Sequence, residues 1–185
     1  MGSPKALLQD SSGRPFVARL VRTFSAAGVK DVTVVTGSRH EEIARVLADD
    51  GPAAAVDLVR NPDPALGQLS SLWVGLDRVM GPDLEAVLVI PVDTPLVDQS
   101  TVRALVDAWR RTGAPIVRPA SGTRHGHPVL FARALFEELR RASLERGAKA
   151  VIGAHESEVL NVQVEDAGCF IDVDTPEDYE RLLRL

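Results

Sequence analysis

Two stretches of the chain carry carboxylates where a folded α/β protein could use them. Pro91-Val92-Asp93-Thr94-Pro95 follows the apolar run Ala86–Ile90 (AVLVI), which puts Asp93 at a strand tip on backbone stiffened by two prolines. Phe170–Asp178 (FIDVDTPED) alternates Asp172 and Asp174 with Ile171 and Val173, so on a strand both acids would point to one side. Two acids on one face repel each other unless a cation or a set of donors compensates. Hard oxygen ligands of this kind suit magnesium, which keeps several waters and bridges a few carboxylates to substrate phosphates. The structural alternatives are a turn cap at Asp93 and a helix cap at Asp174-Thr175.

Other polar groups have similar double readings. Lys5, after Gly2-Ser3-Pro4, is either a solvated surface cation or a partner for phosphate. Gly67-Gln68-Leu69-Ser70-Ser71 precedes a helix and offers hydroxyls and free amides to an anion or a base edge, or Ser70 merely caps that helix. His125 and His127 stand two apart in the polar loop Gly122–Pro128, but no third ligand in a fitting position supports zinc. No G-x-S-x-G elbow supports hydrolase chemistry.

The elements that must hold these residues alternate between short β-branched runs and helical stretches. Asp31–Gly37 (DVTVVTG), Val56–Val59, Ala86–Ile90, Ile116–Arg118, Pro128–Phe131 and Val159–Val164 predict strands, the first and third buried on both faces. Helices are expected from Ser38, as cap, to Asp49, then over Ser70–Met80, Thr101–Arg111, Ala132–Arg141 and Pro176–Leu185, the last capped by Thr175. This order implies a Rossmann-like α/β three-layer sandwich around a mainly parallel sheet, one domain over residues 1–185 without repeats or linkers.

Bulk properties narrow the function. A net charge of -5 argues against nonspecific nucleic-acid binding, which needs a basic face. The single cysteine, Cys169, excludes an internal disulfide and a multi-cysteine zinc site. With no membrane-length apolar run and no signal peptide, a reducing cytoplasm is the expected compartment.

Taken in order, the motifs MGSPKALL (1–8), VVTG (34–37), Asn61-Pro62 followed by GQLSSL, PVDTP (91–95), GHPVLF (126–131), Gly147-Ala148 and DVDTPED (172–178) resemble the MobA-like nucleotidyltransferases, specifically their molybdenum cofactor cytidylyltransferase branch. The resemblance runs along essentially the whole chain. It implies the nucleotide-diphospho-sugar transferase type of fold and transfer of a nucleotide to a phosphate-bearing acceptor with release of pyrophosphate. Asp93 and Asp172 would hold Mg2+, and Lys5 would neutralise the triphosphate. Thr36, Gly37, Asn61, Gly67, Ser70 and Ser71 would surround base and ribose, while Gly126 and His127 would face the acceptor. The implied partners are CTP ahead of GTP, molybdopterin or a similar phosphorylated acceptor, and a molybdoenzyme. The alternatives are a sugar- or alcohol-phosphate acceptor, and a non-catalytic module that holds cofactor for a partner enzyme.

One departure stands out. Family members carry a strand and a glycine-rich turn of the type LAAGxSxR directly before the Met-Gly that here is Met1-Gly2. A late start, a segment outside these 185 residues or a degenerate paralogue would each account for it. The expectation is a sheet that needs one more strand beside DVTVVTG and AVLVI, and a triphosphate site that needs the turn's amides.

Overall fold

The computed structural model describes residues 4–51 and 55–185, so the Met1-Gly2-Ser3 part of the first motif lies outside the described residues. The order is α1 (Phe16–Ala26), β1 (Asp31–Thr36), α2 (His40–Asp49), β2 (Ala55–Arg60), α3 (Gln68–Val79), β3 (Ala86–Val89) and α4 (Gln99–Thr112). Then follow β4 (Ile116–Ser121), β5 (Arg124–His125), β6 (Val129–Ala132), α5 (Phe136–Arg141), α6 (Ala148–Ala154), β7 (Val159–Gln163) and α7 (Pro176–Leu182).

The helices form where apolar residues recur at helical spacing and where caps satisfy their ends. Helix α1 buries Phe16, Leu20 and Phe24 together with Val17 and Val21, two rows four residues apart. It stops at Ala27-Gly28, where Gly28 has φ 90°. The Asp98 side chain caps α4 by accepting from Ser100 N at 2.7 Å. Thr175 caps α7 as expected, in a reciprocal capping box with Asp178.

Four starts differ from the sequence reading, α4 beginning at Gln99 rather than Thr101. Helix α2 begins at His40 behind Arg39 rather than at Ser38, and no side chain caps it. Helix α3 begins at Gln68, so Ser70 lies in its first turn and its hydroxyl donates back to Gly67 O at 2.8 Å instead of capping. Residues 132–141 divide into a 3-10 turn over Arg133–Leu135 and the shorter α5.

The sheet is mixed. Strand β1 pairs with β2 in parallel, Asp31 facing Ala55 and Thr36 facing Arg60. A second sheet runs β3-β6-β4, with β7 parallel to β4 and the short β5 antiparallel at the end of β4. Because β6 is antiparallel to both β3 and β4, those two run the same way and β6 alone is reversed between them.

Alternate residues feed opposite faces, as a pleated strand requires. Ile116, Phe131 and Val89 pack on one side with Leu76, Phe136, Leu139 and Val151 of α3, α5 and α6. Val117, Leu130 and Leu88 pack on the other with Leu105 and Ala108 of α4, next to a cluster formed by Leu20, Phe24, Val97 and Val102. Helices therefore cover both faces of the sheet, and the α/β three-layer class holds.

Strands β1 and β3 are less buried than their apolar sequences suggest: every residue of β3 is half-buried, and so are Val32–Val35 of β1. The cause is local. A cavity of about 1250 Å³ lies between the two strands, lined also by Val17, Leu20 and Phe24 of α1 and by Leu72, Gly75 and Leu76 of α3. Among the described residues β1 pairs only with β2, and β3 only with β6.

Candidate active site

The acids sit on short connections whose shapes are set by turns. Asp93 follows β3 in a turn closed by Thr94 N donating to Pro91 O at 3.3 Å. Asp172 and Asp174 lie in irregular backbone, not on a strand as the alternation of Ile171 and Val173 suggested. The backbone donors that a strand ladder would use are taken elsewhere. Asp174 N and Thr175 N donate to the Asp178 carboxylate at 3.3 and 3.0 Å, and Pro176 has no N–H to give.

This irregular segment is nonetheless anchored against Asp93. Val173 N donates to Asp93 O at 2.8 Å, and the Thr94 hydroxyl donates to Asp172 Oδ1 at 2.8 Å. Lys5 arrives from a 3-10 turn over Lys5–Leu7 and donates to Asp93 Oδ2 at 3.1 Å and to Asp174 Oδ1 at 2.6 Å. The two acids therefore do not share one compensating partner: Asp172 leans on Thr94, and Asp174 reaches the lysine.

Burial differs as much as partners do, with the side chains of Asp93, Lys5 and Asp174 being 17%, 29% and 67% exposed. Partial burial works against the Lys5 ammonium, but the hydrogen bonds to Asp174 and Asp93 outweigh it and raise its pKa, so it is charged near neutrality. Among the described residues no group of three or more His, Cys, Asp or Glu side chains could hold a metal ion. The carboxylates gathered here are those of Asp93, Asp172 and Asp174, with Asp93 and Asp174 paired to Lys5. That set fits magnesium or manganese, which need only one or two protein carboxylates when waters and substrate phosphates complete the shell.

The residues expected around base and ribose also gather, at the carboxyl ends of β1 and β2. Asn61 N donates to Thr36 O at 2.7 Å, and its side-chain amide donates to Ser70 Oγ at 2.8 Å and Ser71 Oγ at 3.0 Å. Thr36, Asn61 and Ser70 are buried, and the Thr36 hydroxyl is engaged with Val59 O and His40 Nδ1. Gly67 has φ 88°, a conformation that favours glycine, and an added Cβ on Gly37 would lie 3.2 Å from the Pro64 ring. Much of this cluster's hydrogen bonding is turned inward.

Gly126 and His127 sit against the segment that leads to Asp172. An added Cβ on Gly126 would come within 2.2 Å of Cys169 O, and His127 N donates to that same oxygen at 2.9 Å. Burial lowers the pKa of the His127 ring, against the pull of Asp172 and Asp93. Its Nδ1 is buried without a hydrogen-bond partner. Thr94 is the one residue of this region to which sequence reading attached no role. The only signal the sequence offered was its place beside the strand-tip acid in PVDTP.

A lysine and carboxylates gather beyond the end of β3, and hydroxyl and amide groups gather beyond β1 and β2, the ends at which open α/β sheets bind ligands. Residues 1–159 match the family model described as the MobA-like NTP transferase domain, and the chain belongs to that family of nucleotidyltransferases. It is 25% identical over 150 residues to the molybdenum cofactor cytidylyltransferase of Escherichia coli K12, covering 80% of this chain and 71% of that protein. It is 32% identical over 108 residues to the bifunctional protein GlmU of Carboxydothermus hydrogenoformans, covering 58% of this chain but spanning only 22% of GlmU. The crystal structure of Rv0371c from Mycobacterium tuberculosis H37Rv superposes with a TM-score of 0.82 at 28% identity, covering 100% of this chain and 91% of that one. A manganese complex of the same mycobacterial protein superposes with a TM-score of 0.76. No helix among the described residues is long and apolar enough to cross a membrane.

Proposed function

We propose that the chain transfers a nucleotide, CMP from CTP ahead of GMP from GTP, to molybdopterin or a similarly phosphorylated acceptor in the cytoplasm. An acceptor phosphate oxygen attacks the α-phosphorus, the bond from that phosphorus to the β-bridging oxygen breaks, and pyrophosphate leaves. The observation that carries this reading is the convergence of Lys5, Asp93 and Asp172, from three distant parts of the chain, on one strand end. The likeness to the E. coli cytidylyltransferase supports the choice of CTP and of the acceptor.

In this reading Asp93 and Asp172 hold Mg2+, which when bound neutralises and aligns the phosphates. Lys5 exchanges its carboxylate partners for the triphosphate. Thr36, Gly37, Asn61, Gly67, Ser70 and Ser71 shape the floor for base and ribose, and Gly126 and His127 border the acceptor side. Transfer of this kind relies on alignment and charge neutralisation and needs no protein nucleophile. The product would pass to a molybdoenzyme.

The test is pyrophosphate release from CTP or GTP with molybdopterin and Mg2+. Asp93→Ala and Asp93→Asn should each lose more than about 100-fold in rate while keeping the wild-type circular dichroism, because losing a metal ligand should exceed the 10–100-fold cost of losing a ligand's supporting group. Wild-type rates in both variants would remove Asp93 from the reaction. Preference for a sugar phosphate over molybdopterin would overturn the acceptor assignment.

A further inference from the structure

Thr94 joins the two carboxylates that the proposed reaction needs. It is fully buried, at 0% exposure, and adjoins Asp93 in the chain. Its hydroxyl donates to Asp172 Oδ1 at 2.8 Å, while Val173 N donates in the opposite direction to Asp93 O. The backbone around Asp172 is held by close approaches: an added Cβ on Gly168 would lie 2.1 Å from Leu96 O, and one on Gly126 2.2 Å from Cys169 O. These contacts place the Asp172 main chain, but they do not set the plane of its carboxylate. The Thr94 hydroxyl does, by donating to Oδ1.

We infer that Thr94 is a positioning residue that orients the Asp172 carboxylate for metal binding, an inference that rests on the proposed function above. Groups that hydrogen-bond a metal ligand typically govern metal affinity by about 10–100-fold. Val replaces Thr with nearly the same shape and no donor, and Ser keeps the donor without the methyl group. Thr94→Val should therefore weaken Mn2+ binding by about 10–100-fold, and Thr94→Ser should keep wild-type affinity.

The experiment titrates Mn2+ into the 185-residue chain, alone and with CTP, and follows the free-ion electron paramagnetic resonance signal. In parallel, pyrophosphate release at rising Mn2+ separates the half-saturating metal concentration, which should rise in Thr94→Val, from kcat at saturating metal, which should change little. Thr94→Val should have no further effect in an Asp172→Asn background. If Thr94→Val lacks a wild-type thermal transition, Thr94→Ala is read on the same titration. Wild-type Mn2+ affinity in Thr94→Val, beside a loss in Asp172→Asn, would overturn the role of Thr94 and leave the metal site standing. A loss of the same size in the Asp172→Asn background would assign the effect to packing and equally overturn it. Wild-type Mn2+ binding by both Asp93→Asn and Asp172→Asn would sink the metal-site reading, and this inference with it.

Discussion

Asp172 and Asp174 are two residues apart and chemically alike, yet their surroundings give them different work. Asp172 accepts from a buried hydroxyl on the turn that carries Asp93, whereas the Asp174 side chain is 67% exposed and meets only the Lys5 ammonium among the contacts of this site. An exposed ion pair contributes at most about 1 kcal/mol, which is about fivefold in an equilibrium. Asp174→Ala should therefore change pyrophosphate release by no more than about fivefold, and Asp172→Ala should lower it more than about 100-fold. Rate measurements across a Mg2+ series decide this: equal losses would make both acids ligands, and a larger loss at Asp174 would reverse the assignment. The acids themselves were legible, because acidic residues beside apolar runs and prolines stand out in any chain. Their relation was not. The alternation of Ile171 and Val173 suggested one shared strand face, but the Asp178 carboxylate takes the backbone donors of residues 174 and 175, and that competition operates through a helix cap further along the chain. The partner of Thr94 was not legible for a similar reason, since it lies 78 residues away.

At the level of elements, the segment that brings Lys5 to the site depends on one buried carboxylate. Asp10 is 3% exposed and accepts from Ser12 N, Ser12 Oγ and Arg14 N, closing the turn that leads into α1. It also accepts from Arg19 Nη1 at 2.8 Å, and Arg19 Nε donates to Pro95 O, which ties this turn to the loop carrying Asp93. Burial alone would raise the Asp10 pKa, but the donors from Ser12, Arg19 and Arg14 overcome it and lower the value from 3.8 to about 2. A depressed carboxylate stabilises the fold above its unfolded pKa and loses that contribution as pH falls through the folded value. Here the window runs from about pH 4 down to about pH 2, and the contribution is on the order of 2 kcal/mol. Asp10→Asn should thus be destabilised by about 2 kcal/mol or more near pH 7, with the gap from wild type shrinking below pH 4. Urea unfolding at several pH values measures it, and a gap that stays constant would remove the charge from the explanation. Helix α1 shows how much of such an arrangement a sequence carries. Phe16, Leu20 and Phe24 have clear helical spacing, but no predicted element covered them, because the polar turn before them offers no recognisable cap. All the strands but the short β5, which was read as loop, were legible from their apolar runs, and the burial of β1 and β3 was not, because burial depends on what lies beside a strand.

The whole molecule is organised around the cavity between β1 and β3. A six-residue strand fills roughly 20 Å by 4.8 Å by 10 Å, on the order of 950 Å³, whereas two strands would need about twice that. The cavity, about 1250 Å³ between two strand edges, has room for at least one such strand. The edges of β1 and β3 line it from two sides, and exposed strand edges are groups that proteins pair or cover. Its other two walls are the apolar rows of α1 and α3, so an occupant buried there would be apolar on both faces, like the central strand of a parallel sheet. Asp93 stands among the lining residues, with Lys5 hydrogen-bonded to it. A strand seated in the cavity and followed by a glycine-rich turn could thus present backbone amides beside the proposed phosphate site. The prediction follows from comparing the 185-residue chain with a form extended ahead of Met1 by an apolar strand and such a turn. The extended form should show slower amide hydrogen exchange in β1 and β3, a higher thermal midpoint and tighter binding of CTP with Mg2+ by calorimetric titration. Faster or unchanged exchange in both strands would mean that the cavity does not take a strand. Slower exchange with equal CTP affinity in the two forms would mean that the strand completes the sheet while the turn contributes nothing to the nucleotide.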